Sequence, residues 1–232
     1  MIKAVFFDLY QTLVHYKPSQ EELEAGALKE SGFDVSAAAL RRPILAANQY
    51  IYDEIAARPL SRRTREEAMT LYTEYQRVVL REAGIKADEK TVLKLLGLTQ
   101  QAKMDLILFD DVLPALDALK KRQLTLGLIS NIERDMTATL DRLGLAARLD
   151  IVVTSQDTGF TKPHREIFDF AIAKAGVPPA ATVYIGDQYN VDVIGSRAAG
   201  MKALLLDRDD YYQEKLDCPR LRSLRELEKH LA

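Results

Sequence analysis

Tryptophan is absent from the 232-residue chain, cysteine occurs once, and histidine only 3 times. The lone thiol, Cys218 in the polar stretch LDCPR, excludes an internal disulfide and any cysteine-built metal cluster, and it reads as a bystander. His15, His164 and His230 lie far apart and form no metal-binding pair. Neither sign of charge dominates: 32 Lys and Arg stand against 34 Asp and Glu, a formal net charge of -2, so no global field favours nucleic acid or an anionic membrane. Partners must be read from a local site. No apolar run reaches spanning length and the N-terminus has no basic signal-peptide head, so a cytoplasmic enzyme is the expectation.

What is present is the composition of an ordinary globular protein, 47% hydrophobic and 28% charged, enough for one large domain or two unequal ones. Five apolar runs are short enough to be fully buried strands: AVFF (4 to 7), LTLGLI (124 to 129), IVVT (151 to 154), TVYI (182 to 185) and KALLL (202 to 206). Helical patterns precede the last four, at 111 to 122, 134 to 144, 164 to 176 and 192 to 200, several of them closing on glycine. Strand and helix in alternation predict an α/β fold, a doubly wound parallel sheet covered on both faces.

From about residue 17 to residue 100 that rhythm stops, and long helix-compatible stretches replace the strand runs. We read 17–99 as an inserted helical domain, with 1–16 and 100–232 forming the α/β domain. The expected linkers lie near His15 to Pro18 and Gln101 to Phe109.

Asp8, Ser130 and Asp187 are each the first polar residue after a buried run, which places each at the carboxyl end of its strand, where open α/β sheets bind ligands. Taken singly, such residues also serve as turn formers or helix N-caps. The string GDQYNVD adds Asp192 on the same strand-to-helix loop as Asp187. Carboxylates gathered at one rim repel. Unless one stays protonated, a bound cation is the natural remedy, and all-oxygen ligands suit Mg²⁺ (magnesium) rather than zinc. Asp192 can equally be the N-cap of the helix that follows. Lys162, just before Pro163 at an expected helix start, either holds anionic oxygens or restrains a nucleophile at that rim, unless it is an ordinary surface lysine.

These strings carry a resemblance. DLYQT after one buried strand, LISN after the next, TKP before a helix and IGDQYNVDV at a fourth strand resemble the four ordered motifs of the haloacid dehalogenase-like hydrolase superfamily. They span the α/β part of the chain, roughly residues 1 to 16 and 100 to 210, and the helical insertion sits where the C1-cap subfamily carries its cap. The resemblance implies a Rossmann-like core and a nucleophilic aspartate, here Asp8, that forms a covalent aspartyl intermediate which water hydrolyses. It further implies that Thr12 and Ser130, with backbone amides near Asn131, bind the transferring group, that Lys162 pairs with its charge, and that Tyr10 takes part in catalysis. In the phosphatase branch Mg²⁺ would be held by Asp8, by the backbone carbonyl of Tyr10, by Asp187 and by Asp192, with a small phosphorylated metabolite as substrate.

Tyr10 departs from the phosphatase pattern. Most phosphatases of the superfamily have a second aspartate there, which protonates the leaving alkoxide and later activates water; a phenol, ionising near ~10, is a poor base for that second step. Haloacid dehalogenases also have tyrosine at this position, so a metal-free 2-haloacid dehalogenase is the alternative. Asp187 argues against it, since those enzymes resemble one another in having serine there. Arg41 and Arg42, on an expected cap helix, could receive a substrate carboxylate or be a solvated basic pair. Gln11 stands where glycine is common. Tyr50, Tyr52, Tyr72 and Tyr75 either line a pocket or pack the interior of the helical insertion.

Overall fold

The computed structural model describes residues 1–212 and 217–231. The chain divides into two compact units, one joining Met1–His15 to Ile107–Ala232, the other comprising Tyr16–Leu106. The second unit is helical. Its helices are α1 (Gln20–Glu30), α2 (Ala37–Ala57), α3 (Arg65–Glu82) and α4 (Glu89–Gln101). Each starts where a short polar side chain accepts an otherwise unpaired backbone N–H: Ser19 and Thr64 in reciprocal boxes with Glu22 and Glu67, then Ser36 and Asp88. Leu28, Leu40, Ile44, Ala47, Val79 and Leu95 form its buried core, against which Tyr50 and Tyr75 pack. Those two tyrosines are packing residues. Arg41 and Arg42 are exposed.

β1 (Ala4–Phe7), in the first unit, leads through a tight turn into β2 (Val14–Lys17), which pairs with β3 (Asp105–Leu108) as a two-stranded sheet at the chain positions where one unit gives way to the other. These strands lie where linkers were expected. The main sheet combines β1 with β4 (Thr125–Ser130), β5 (Ile151–Thr154), β6 (Thr182–Gly186), β7 (Lys202–Leu206) and β8 (Arg220–Leu221). Its order is β5-β4-β1-β6-β7-β8, all neighbours parallel, so every carboxyl end lies on one edge. The chain steps outward from β1 to β4 and β5, then returns to the other side of β1 at β6. That reversal makes β1 the topological switch point.

Side chains alternate across the sheet. Ala4 and Phe6 face α8 (Arg165–Ala175), where Ile167, Phe168, Ala171 and Ile172 meet them. Val5, Phe7, Leu126 and Leu128 are fully buried on the opposite face, where α5 (Val112–Lys121) packs on β4. Gly127, paired with Phe6 across the β1–β4 ladder, leaves room for the Phe6 ring, because a Cβ there would run into it. The helix expected over 134 to 144 is shorter, α6 (Thr137–Arg142), since Asp135 captures the Thr137 N–H and hydroxyl and holds the preceding loop out of the helix.

Candidate active site

Asp8 directly follows β1, Ser130 ends β4 and Asp187 directly follows β6, so the parallel sheet delivers all three to one edge beside the switch point. The Asp8 N–H donates to the Ile185 C=O at 2.9 Å, extending the β1–β6 pairing by one residue. The chain then turns sharply. Leu13 and Val14 both donate their N–H to the Leu9 C=O, each at 2.9 Å, and Gln11 is forced to a φ of 57°. That is the left-handed region glycine tolerates best, so glutamine carries local strain at this turn.

Lys162 is the hub of the site. Its Nζ donates to Asp8 Oδ1 at 2.6 Å, Asp192 Oδ1 at 2.7 Å and the Tyr184 hydroxyl at 2.8 Å. An ammonium has three N–H bonds, and all three are used. The lysine therefore restrains Asp8 and does not stand free toward an incoming anion. Ser130 Oγ donates to the same Asp8 Oδ1 at 3.3 Å. The Asn131 side chain is spent on the main chain of Lys162. Thr12 is fully buried, and its Oγ1 has no hydrogen-bond partner among the described residues. Tyr10 is half-buried, its hydroxyl accepting from Arg134 Nη2 at 3.4 Å.

Asp192 is not a helix N-cap. It lies inside a π-helical turn, Tyr189–Val193, that precedes α9 (Ile194–Ala198), and its Oδ2 accepts the Gln188 N–H at 3.0 Å. The loop closes tightly enough that a Cβ at Gly186 would collide with the Asp192 carboxyl group. One oxygen each of Asp8, Asp187 and Asp192 lie within 4.8 Å of one another. Asp187 Oδ1 is buried and has no hydrogen-bond partner among the described residues.

Three carboxylates thus face one ammonium. Burial pushes the Asp8 carboxyl up to about 6, with Lys162 opposing the rise and Asp192 adding to it. Burial, then the charges of Asp192 and Asp8, hold the Asp187 carboxyl well above the usual carboxylate range. Burial alone would favour a neutral Lys162 amine, but Asp192 and Asp8 outweigh it and keep the ammonium above its ordinary value. A proton or a cation must relieve such a cluster. The all-oxygen donor set and the orphaned Asp187 oxygen fit a hard divalent cation. Asp8 and Asp187 offer the more open oxygens to such a cation, because both Asp192 oxygens already accept hydrogen bonds.

Residues 2–200 match the model of the haloacid dehalogenase-like hydrolase family. The chain belongs to that family. It is 33% identical to the glyceraldehyde 3-phosphate phosphatase of Methanothermobacter thermautotrophicus over 226 residues, covering 90% of this chain and 87% of that one. It is 37% identical to haloacid dehalogenase-like hydrolase domain-containing protein 3 of Danio rerio over 108 residues, 45% of each chain, so the match spans under half of that relative. Among solved structures, the L-2-haloacid dehalogenase RSc1362 aligns with a TM-score of 0.66 at 20% identity, covering 99% of this chain and 98% of that one. At that identity the likeness concerns the fold.

Two supports of this haloacid dehalogenase-like hydrolase site escape sequence reasoning. Tyr184, within the apolar run TVYI, is 1% exposed, and its hydroxyl sits among Lys162, Asp192 and the Ile129 C=O. A hydroxyl in a buried run three residues before Asp187 was the available signal. Arg208 donates to both Asp111 oxygens at 2.9 Å and to the Thr12 C=O at 2.9 Å, its guanidinium lying 4.0 Å from the Phe109 ring centroid. Asp111 also accepts from Ser223 Oγ at 2.6 Å and from the Leu224 N–H at 2.9 Å. No local pattern announces partners so far apart in sequence.

Proposed function

We propose that this hydrolase is a Mg²⁺-dependent phosphohydrolase that cleaves a small phosphorylated metabolite through an aspartyl-phosphate at Asp8. The observation that carries the reading is Asp187: a buried carboxylate oxygen without a partner among the described residues, beside two further carboxylates that share the Lys162 ammonium. A metal-free enzyme attacking an anionic haloacid gains nothing from that charge. With a cation bound it becomes a ligand, and a dianionic phosphate can approach.

Lys162 and Ser130 fix the Asp8 carboxylate in one orientation. An oxygen of Asp8 forms the bond to phosphorus as the ester oxygen departs, and water then hydrolyses the acyl phosphate, releasing inorganic phosphate and restoring Asp8. Thr12 Oγ1, buried without a partner among the described residues, is available to a phosphoryl oxygen. Asp8, the Tyr10 carbonyl, Asp187 and Asp192 would hold the metal, Asp187 contributing its unpaired oxygen. Bound there, Mg²⁺ would supply positive charge that offsets the repulsion between nucleophile and phosphate. The kinship with a triose phosphate phosphatase agrees with a substrate of that size and charge.

Tyr10 is the residue that favours the alternative, carbon chemistry on a 2-haloacid. Purified protein assayed with p-nitrophenyl phosphate separates the two: nitrophenol release that needs Mg²⁺ and is lost in Asp8→Asn supports the phosphohydrolase. Chloride release from 2-chloropropionate in EDTA, with no phosphatase activity, would overturn it.

A further inference from the structure

The segment after β7 reaches back to the loop that carries Asp187 and Asp192. Its turn is set by Asp207, 4% exposed, whose carboxylate accepts the N–H groups of Tyr211 at 2.8 Å and Tyr212 at 3.2 Å. The Tyr212 ring, with Tyr189 and Cys218, packs on the buried trio Val193, Ala203 and Leu205. Its hydroxyl accepts the Tyr189 N–H at 2.9 Å. Tyr189 stands between the two acidic residues, at the start of the π-helical turn, where backbone N–H groups lack partners within the turn. Two side-chain acceptors serve that start: Asp192 Oδ2, from within the turn, takes the Gln188 N–H, and Tyr212, from outside it, takes that of Tyr189. A second hold acts on the same residue. The Tyr189 hydroxyl donates to Asp217 Oδ1 at 2.7 Å, where Arg197 also donates at 2.9 Å.

We propose that Tyr212, seconded by Asp217, is a positioning residue for cation binding: by accepting the Tyr189 amide it holds the loop so that the Asp187 carboxylate stays beside Asp8. The inference rests on the cation reading above. A hydroxyl is needed because the ring alone supplies packing but no acceptor, and the amide it serves would otherwise lose its partner in a half-buried position. Nothing in the four sequence motifs requires a tyrosine at this place in the chain.

The test is direct Mn²⁺ binding to the full chain, read by the electron paramagnetic resonance of the free ion, for the wild type, Tyr212→Phe, Asp217→Asn and Asp187→Asn. Hydrogen exchange of the Tyr189 amide in the metal-free protein is measured alongside. Tyr212→Phe is expected to raise the Mn²⁺ dissociation constant about 3- to 10-fold, the range of one lost hydrogen bond, and to speed exchange at Tyr189. Asp217→Asn, at an exposed position, shifts the constant in the same direction and carries the test should the phenylalanine variant not fold. Asp187→Asn abolishes binding. If both brace variants bind like the wild type while Asp187→Asn does not bind, the brace alone is overturned; a lower melting temperature with an unmoved Mn²⁺ constant has the same meaning. A wild type that binds no Mn²⁺ overturns the brace together with the cation reading.

Discussion

The side chain of Asn131 grips the main chain of Lys162 from both sides: Oδ1 accepts the lysine N–H at 2.6 Å, and Nδ2 donates to the lysine C=O at 3.0 Å. The carboxamide thereby serves both main-chain polar groups of one residue, and the lysine that restrains Asp8 is held at its root. Replacing Asn131 by aspartate keeps the size but turns the donor into an acceptor facing a carbonyl oxygen. We expect kcat on p-nitrophenyl phosphate to fall about 10- to 100-fold, the range for loss of a group that orients a reacting residue. An unchanged kcat would show that Lys162 needs no anchor.

The acidic cluster makes stability depend on pH in a defined direction. Asp8 titrates at about 6 in the folded chain against 3.8 ordinarily, and Asp187 is raised as well, so the folded state binds these protons more tightly than the unfolded chain does. Their contribution is therefore fully present below about pH 4 and is lost as pH rises through about 6 and beyond. A cation competes with the same protons. Saturating Mg²⁺ should raise the melting temperature more at about pH 8 than at about pH 5, measured against EDTA controls. A larger shift at the acidic end would contradict the assignment of these carboxylates as ligands.

Gly186 should tolerate no side chain. A Cβ there would collide with the Asp192 carboxyl group, which is locked to Lys162 and to the Gln188 amide, so Gly186→Ala must displace one of them. We expect a loss of about 1–3 kcal/mol in urea unfolding, as for other overpacked sites, together with at least a tenfold loss of phosphatase activity. Wild-type activity in the variant would mean that the loop yields at no cost.

Tyr10 gives the clearest kinetic contrast. An aspartate at this position supplies an acid for the departing alkoxide, which an aryl leaving group hardly needs. Tyr10→Asp should therefore raise turnover of an alkyl phosphate, such as glycerol phosphate, by a larger factor than turnover of p-nitrophenyl phosphate. Equal factors for both substrates would indicate that leaving-group protonation comes from elsewhere.

The five strands found from apolar runs were legible because a buried parallel strand is a local property, four to six mostly apolar residues between breaks. β2 and β3, with the sequences VHYK and DLIL, carry mixed or partly exposed residues, and β8 is two residues long, so none stands out before a partner strand is known. The π-helical turn was likewise hidden. DVIGSRAAG scans as an ordinary helix, and only the fold of Asp192 back onto the Gln188 amide shows that the helical turn starts at Tyr189.

The sequence by itself determined which polar residues end buried strands, and hence that Asp8, Ser130 and Asp187 gather at one rim, because strand direction and burial follow from short-range pattern. Only the tertiary structure decided how the rim is wired: that Lys162 spends its ammonium on Asp8, Asp192 and Tyr184, that Asn131 serves the lysine backbone, and that one oxygen of Asp187 is left without a partner among the described residues. Those bonds join residues up to 154 positions apart. Their lengths are set by how sheet, turns and helices pack, which no window of neighbouring residues encodes.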